Sequence, residues 1–296
     1  MRVGKLAGIA GMAALLLLAQ GCQAVALPAD IPAPTSAADE MTAPALVEQA
    51  GEFNHEFADE VKAILDEADK PPGQTSEPET PPGAGRLVAI DPGHQRHGNA
   101  AQEPNGPGST VYRNKVASGT RGVATGVPEF ELVLDVSLLL RDELMARGYD
   151  VLLIRESHDV DISNAARAQM AAEAGADVFI RIHADGSENQ TLNGIMTISH
   201  TPNNPYIPQL YAQSRALSDV VLQEMLAATG ANSRGVWETD SMTGTNWAAM
   251  PVTIVEMGLL TNPEEDRLMQ TPAYQLKLAE GIANGIDLFF AMHDER

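Results

Sequence analysis

The chain has 296 residues, a formal net charge of −21 at pH 7 and a single cysteine. This length fits one large domain or two small ones, at the usual size of roughly 100 to 200 residues per domain. The acidic balance excludes nucleic acid as an expected partner, because binding to phosphates needs a basic surface, and a single cysteine excludes an internal disulfide.

Residues 1–22 have the layout of a secretory signal peptide. Arg2 and Lys5 precede an apolar stretch that ends in small residues, and this stretch is shorter than the roughly 20 apolar residues of a membrane-spanning helix. Cys22 ends it in a pattern that resembles a bacterial lipobox, in which the cysteine is lipidated and becomes the mature N-terminus. Because Ala19 stands where leucine is commoner, an ordinary cleaved signal is the alternative. We expect an extracytoplasmic lipoprotein anchored to the membrane through Cys22 or, alternatively, a secreted protein.

Residues 23–85 are rich in proline, alanine, aspartate and glutamate. This composition buries little apolar surface, so we predict an extended linker. Within it, residues 46–69 carry apolar side chains near one face of a helical projection, and they are predicted to form one amphipathic helix.

From residue 86 onward, short apolar runs alternate with segments of helical periodicity, and we expect one domain over residues 86–296. The predicted strands are 86–91, 150–155, 177–183, 195–200 and 252–257, and the predicted helices are 129–147, 163–174, 207–228 and 272–292. The alternating order, with central strands apolar on both faces, predicts an α/β fold. We expect an open, mostly parallel twisted sheet covered by helices on both faces.

Three of the predicted strands lead to a side chain that binds metals or moves protons. His94 follows the first strand, His183 ends the third, and Glu256 lies near the end of the last. The carboxyl ends of parallel strands meet at one edge of a sheet, which is where sites form in such folds. One such residue at a strand end is common by chance, but three at one edge predict a cluster.

A fourth member of this cluster is expected among acids that begin helices. Glu129 follows Pro128 in the first turn of a predicted helix, although the helix dipole favours a carboxylate there whatever its purpose, and Glu131 fits the same role by spacing. Two neutral imidazoles, one carboxylate and an open fourth position are typical of catalytic zinc. Zinc lowers the pKa of its bound water to about 7. Glu256, with a pKa raised by partial burial, is the candidate that accepts the proton of that water.

The remaining candidates are loops and single side chains. The long glycine-rich segment 102–126 lacks phosphate-loop spacing and is predicted to form one rim of a substrate groove, with 239–251 as the opposite rim. Trp247 either offers an apolar face to a sugar or peptide or packs in the interior. His97 is predicted not to be a ligand, because a separation of three residues within an irregular turn does not direct both His94 and His97 to one metal.

Three charged residues near strand ends are also candidates. Asp91 is expected to shape its turn or to support a metal ligand through a hydrogen bond. Arg155 and Arg181 are expected to meet carboxylates, either of a peptide substrate or of neighbouring acids in ordinary ion pairs.

Four motifs occur in order over almost the whole of residues 86–296: "VAIDPGH", "GVPEFELVLDVSLLLRDELMARGYDVLLIR", "AARAQMAAEAGADVFIRIHADG" and "MPVTIVEMGLLTNPEED". They resemble the motifs of the zinc-dependent N-acetylmuramoyl-L-alanine amidases, the cell-wall hydrolases called amidase type 3. The resemblance implies that His94, Glu129 and His183 bind zinc and that Glu256 is the catalytic glutamate. It also favours Glu129 over Glu131, because the apolar spacing downstream aligns only in that way.

The chain departs from the commonest residues of that family at three positions, none of them a ligand or the expected base. These are Gln95, where glycine is commonest in the family, Arg181, where many members have serine, and Asp185, where asparagine is frequent.

The resemblance implies a peptidoglycan hydrolase that cleaves the amide between N-acetylmuramic acid and L-alanine of the stem peptide by zinc-activated water. The alternatives are a non-catalytic cell-wall-binding or regulatory lipoprotein on the same fold, and another zinc hydrolase of wall peptides. The expected partners are peptidoglycan and, through the lipid anchor on Cys22, the membrane.

Overall fold

A computed structural model describes residues 81–294. The predicted signal with its Cys22, most of the predicted linker and the helix predicted over 46–69 lie outside the described residues. Within 81–294, no helix combines the length and apolar character that crossing a membrane requires.

The structure is built on one six-stranded sheet. The strands are β1 Leu87–Pro92, β2 Asn99–Pro104, β3 Tyr112–Val116, β4 Asp150–Leu153, β5 Val178–Asp185, β6 Ile195–Ser199, β7 Ser233–Glu238 and β8 Val252–Leu259. The sheet has the order β4-β1-β5-β8-β6-β7, while β2 and β3 form a separate antiparallel hairpin. Every pair in the sheet is parallel except β6 with β8. The predicted open, mostly parallel α/β sheet is therefore confirmed.

Within residues 81–294, six α-helices accompany the sheet. They are α1 Glu129–Ala146, α2 Asn164–Glu173, α3 Tyr211–Thr229, the short α4 Thr243–Asn246, α5 Pro263–Met269 and α6 Pro272–Asp294. Local chemistry sets several of the ends. Asn262 accepts hydrogen bonds from two backbone amides at the start of α5, as a helix N-cap does, and α3 ends at Gly230, whose φ of 72° suits glycine.

The two faces of the sheet have different coverings, because successive side chains of a strand point to opposite faces. Val88, Ile90 and Ile180 belong to the larger apolar cluster, which includes residues of α1, α3 and α6. Ala89 and Phe179 belong to a second cluster with residues of α2. Burial of one large aliphatic side chain contributes about 1.5–3 kcal/mol, so the two clusters hold the strands firmly in register.

Asp91, Arg181 and His183 continue the second face toward the carboxyl ends of β1 and β5, at even spacing from Ala89 and Phe179. Glu256 lies on the same face of β8, since its Cα pairs with that of His183 across the β5–β8 ladder. The fold therefore directs these four side chains to one face of one sheet edge.

Candidate metal centre

Three side chains from different elements converge beyond the ends of β1 and β5. His94 follows β1, Glu129 begins α1 and His183 lies on β5. His94 Nε2, His183 Nδ1 and Glu129 Oε1 are each 3.1 Å from the other two. Ligands placed tetrahedrally about 2.1 Å from a zinc ion are roughly 3.4 Å apart. The three donor atoms are thus spaced as one small metal ion requires.

His94 is presented by a strained turn. Its φ is 58°, a left-handed conformation that is uncommon for a residue other than glycine. The side chain is oriented by its other nitrogen, since Nδ1 lies 2.9 Å from the carbonyl oxygen of Ala117. A carbonyl only accepts hydrogen bonds, so Nδ1 carries the proton and Nε2 offers a lone pair. His94 Nε2 and Glu129 Oε1 are then two acceptors in contact, which favours a cation between them.

Glu129 is held by both of its carboxylate oxygens. Oε2 accepts a hydrogen bond from the amide of Thr120 at 2.8 Å, and Oε1 accepts one from the amide of Ala184 at 3.1 Å. Burial alone would raise the pKa of Glu129, but the adjacent imidazoles of His183 and His94 outweigh it and hold the pKa well below its ordinary value. Glu129 is therefore an ionised ligand candidate. Glu131, in the same helical turn, does not join the group.

His183 is neutral near pH 7. Burial is the largest cause that lowers its pKa, to about 4, and only a neutral imidazole can ligate a metal. Its ring lies against Gly93, where a Cβ atom would come within 2.3 Å of His183 Cε1. Glycine is therefore required at position 93 to admit this ring. Together, two neutral imidazoles and one carboxylate fit a catalytic zinc ion.

Glu256 lies beside this group. Its Cα pairs with that of His183 in the β5–β8 ladder, and its Oε2 is inaccessible and has no hydrogen-bond partner among the described residues. Burial, followed by the negative charges of Glu129 and Asp185, raises the pKa of Glu256 well above its ordinary value. A carboxyl group in this state can accept a proton and give it back near neutral pH.

A groove of about 590 Å³ runs along the sheet face beside these residues. Its floor includes Arg181, Ile254 and Glu256, one rim is formed by the β2–β3 hairpin, and the opposite rim by residues 241–244. A second hollow of about 360 Å³ is lined by residues 117–120 and by Asp185, and it shares His94, His183 and Glu256 with the groove. The two segments predicted as rims, 102–126 and 239–251, both contribute to the groove.

Two other candidates lie away from the metal centre. His97 is exposed and is not part of the His94, Glu129 and His183 group. Trp247 donates from Nε1 to the carbonyl oxygen of Pro104 at 3.0 Å and packs against the second apolar cluster. Of its two predicted roles, the structure therefore shows packing.

The buried charges near the strand ends pair with one another and with the backbone. Asp91 accepts hydrogen bonds from Arg167 Nη1 at 2.6 Å and from Arg181 Nε at 2.9 Å. It makes no hydrogen bond to His94, His183 or Glu129 in the described part of the chain, so of its two predicted roles the hydrogen bond to a ligand is wrong. Asp91 instead contributes to the turn through Arg167, which also donates to carbonyls of that turn.

Arg155 meets carbonyl oxygens where a carboxylate was expected. It donates to the carbonyls of Pro92, Gly93 and Phe130, and Arg167 donates to those of Pro92 and His94. The two arginines thus hold the turn that presents His94. Arg167 is not among the residues predicted from the sequence, and its only signal there is its place between Ala165 and Ala168 on the buried face of α2.

Known proteins resemble this fold and site. The sequence profile of the Amidase_3 family, described as N-acetylmuramoyl-L-alanine amidase, matches residues 88–287. N-acetylmuramoyl-L-alanine amidase Rv3717 of Mycobacterium tuberculosis is 30% identical over 219 residues, which covers 70% of this chain and 88% of that protein.

Solved structures agree with the sequence comparison. The crystal structure of the N-acetylmuramyl-L-alanine amidase Ami1 from Mycobacterium smegmatis aligns with a TM-score of 0.64 and 28% identity, over 71% of this chain and 98% of that one. The catalytic domain of the amidase CwlV from Bacillus (Paenibacillus) polymyxa shares the fold, with a TM-score of 0.56 and 24% identity over 70% of this chain and 98% of that domain.

Proposed function

The chain belongs to the N-acetylmuramoyl-L-alanine amidase family, and we propose that it is a zinc-dependent peptidoglycan hydrolase. Its substrate is the amide between the lactyl group of N-acetylmuramic acid and L-alanine of the stem peptide. One observation carries the proposal beyond family membership: His94, Glu129 and His183 offer three donor atoms 3.1 Å apart, beside a glutamate of raised pKa and an open groove.

In the proposed mechanism, each residue of the site has a separate task. Zinc, when held by His94, Glu129 and His183, supplies Lewis acidity toward the amide carbonyl and lowers the pKa of a water molecule. Glu256 accepts a proton from the attacking water at one of its carboxylate oxygens and passes it to the leaving nitrogen of L-alanine. Its buried position keeps its proton affinity high enough for both transfers.

The walls of the groove orient the substrate. The exposed ring of Tyr112 on the hairpin, 55% accessible, offers an aromatic face to a sugar or a peptide. The main-chain hydrogen bonds to Glu129 keep that carboxylate in place while substrate enters.

We also propose that the protein acts outside the cytoplasm, anchored to the membrane by a lipid on Cys22. Support comes from the signal-like segment that precedes Cys22 and from the linker that follows it. A tether holds an enzyme near an insoluble substrate and raises its effective concentration there, which suits a hydrolase acting on the wall. Radiolabelled palmitate incorporation that is lost in Cys22→Ala tests the anchor, and equal labelling of the two proteins would refute it.

Digestion of purified peptidoglycan tests the proposed reaction. The wild-type protein should release intact stem peptides with a free L-alanine amino terminus, identified by mass spectrometry. Glu256→Gln should keep its zinc and lose hydrolysis by at least about 100-fold, as the loss of a general base predicts. Glu131→Gln, which replaces an acid outside the metal centre, should retain activity. Unimpaired release by Glu256→Gln, or products cut elsewhere in the stem, would overturn the assignment.

A further inference from the structure

The groove has a local charge opposite to that of the chain. The whole sequence carries a net charge of −21, yet the charged side chains among the described groove-lining residues, apart from the histidines, are Arg113, Arg181 and Glu256. The hollow on the other side of the metal centre is lined by the acids Glu129 and Asp185, with Glu256 shared. The groove and the hollow therefore favour different parts of a substrate, and the groove favours the anionic part.

Arg181 is the residue of the groove that is held in place for binding an anion. Its side chain is 4% exposed, Nε donates to Asp91 and Nη2 donates to Asn164 Oδ1 at 2.7 Å. No acceptor among residues 81–294 contacts its Nη1, although Arg181 lines the groove. Gly244 lies against the guanidinium, and a Cβ atom there would come within 2.4 Å of Arg181 Cζ and Nη1. The guanidinium is thus fixed by two partners and keeps one donor nitrogen for a ligand.

The buried cluster around Arg181 has an excess of positive charge. Arg155, Arg167 and Arg181 are each less than 5% exposed, and Asp91 is the acid that pairs with two of them. Buried charges are costly unless they are paired or hydrogen-bonded. Arg155 and Arg167 also satisfy their donors on backbone carbonyls, whereas Arg181 retains Nη1 toward the groove. An anion in the groove would complete the pairing of this cluster.

The position of Arg181 matches one carboxylate of a stem peptide. Arg181 and His183 lie on the same face of β5, two residues apart, so their Cα atoms are separated by about 7 Å. In a stem whose second residue is D-glutamate linked through its γ-carboxyl, the free α-carboxylate lies five bonds from the scissile nitrogen. Five bonds span roughly 6 Å when extended. A scissile amide at the metal centre therefore brings this carboxylate to Arg181.

We propose that Arg181 forms a carboxylate subsite that binds the α-carboxylate of the second stem residue through Nη1. The inference rests on the proposed function, and it gives the substrate a direction. The stem peptide lies between the β2–β3 hairpin and residues 241–244, and the glycan lies over the hollow lined by residues 117–120. Stems with a free carboxylate at the second residue are then preferred over stems in which that group is amidated.

Paired substrates test the preference. Two soluble muropeptides that differ only in D-glutamate or D-isoglutamine at the second position are hydrolysed in parallel. The wild-type protein should favour the carboxylate form by about 10- to 100-fold in kcat/KM, mainly through KM, as expected for a hydrogen bond to a charged partner. Arg181→Gln should remove the preference. Arg215→Gln, which alters a half-buried arginine that pairs with Asp219 and Glu238 and does not line the groove, should keep it. Equal kcat/KM of the wild type for both substrates would overturn the subsite.

A binding measurement separates the subsite from the reaction. The tripeptide L-alanyl-γ-D-glutamyl-L-lysine and its α-amide are titrated by calorimetry into wild-type protein and into Gly244→Ala. This variant keeps the charge of Arg181 but displaces its Cζ and Nη1. Tighter binding of the free acid by the wild type, reduced in Gly244→Ala, supports the subsite whether or not the protein hydrolyses peptidoglycan. If hydrolysis fails while this binding difference is seen, the proposed function is refuted and the subsite is not. Equal affinities for acid and amide would refute the subsite even if both muropeptides are cleaved.

Discussion

Replacement of Arg155 by lysine tests how the turn that carries His94 is held. The Arg155 side chain is 3% exposed and donates to the carbonyl oxygens of Pro92 at 2.8 Å, Gly93 at 2.9 Å and Phe130 at 2.8 Å. Lysine keeps the charge but lacks the planar fork of donors, so it cannot reproduce all three bonds.

The expected losses of stability and zinc affinity follow from the hydrogen bonds lost and from the strained backbone that those bonds keep in place. Each hydrogen bond to a charged group contributes about 1.5–3 kcal/mol, so the loss of two lowers the free energy of unfolding by about 3–6 kcal/mol. The left-handed backbone of His94, with φ of 58°, costs of order 1–3 kcal/mol and persists only while its surroundings hold it. Relaxation of this turn moves a ligand candidate, so zinc affinity should fall by about 10- to 100-fold.

Two assays separate these effects. Urea denaturation gives the free energy of unfolding, and competition with a coloured chelator under native conditions gives the zinc affinity. Arg215→Lys is the control, because Arg215 is a half-buried arginine whose ion pairs are with Asp219 and Glu238 and not with the turn that carries His94. A variant at position 155 that loses stability but binds zinc as tightly as the wild type would refute the idea that Arg155 positions His94.

Two further predictions concern the acids of the site. Glu129→Gln should lower zinc affinity at least about tenfold, because a charged ligand oxygen is lost, whereas Glu131→Gln should keep its zinc; equal zinc contents after dialysis would contradict this. Burial raises the pKa of Asp91, but Arg167 and Arg181 outweigh it and lower the pKa below its ordinary value of 3.8. The charge of Asp91 therefore stabilises the fold above pH 3.8, and this contribution is lost as the pH falls below that value. Asp91→Asn should therefore cost about 3–5 kcal/mol near neutral pH and progressively less in urea titrations below pH 3.8, and a difference that does not change with pH would contradict the pairing.

The central sheet could be predicted because its buried strands are recognisable in the sequence as apolar runs. β1, β5 and β8 are buried along almost their whole length, and such strands read as continuous apolar runs. Strands β2, β3 and β7 were not predicted. Most side chains of β2 and β3 are exposed or half-exposed, as are those of β7, so these strands lack the apolar pattern on which prediction depends.

The candidate ligands were predictable for a related reason. His94 follows β1, and His183 and the candidate base Glu256 lie in the carboxyl-terminal halves of β5 and β8. The parallel order of these three strands brings the three side chains to one edge. The partners that hold them were not predictable. Arg167 occurs in an alanine-rich helix, and no sequence pattern distinguishes an arginine that reaches into the interior from one that faces solvent.

Stability alone is a weak reason for the three buried arginines beneath the site. Buried ion pairs can often be replaced by apolar side chains without loss of stability, so their presence calls for a task that apolar groups cannot perform. Arg155 and Arg167 have such a task in the carbonyls of the turn before His94. Arg181 shares Asp91 with Arg167 and lines the groove. The same cluster therefore connects the turn that carries His94 with the groove surface that we propose binds the stem peptide. A substitution at Asp91 should consequently affect zinc affinity and the preference for the free carboxylate together.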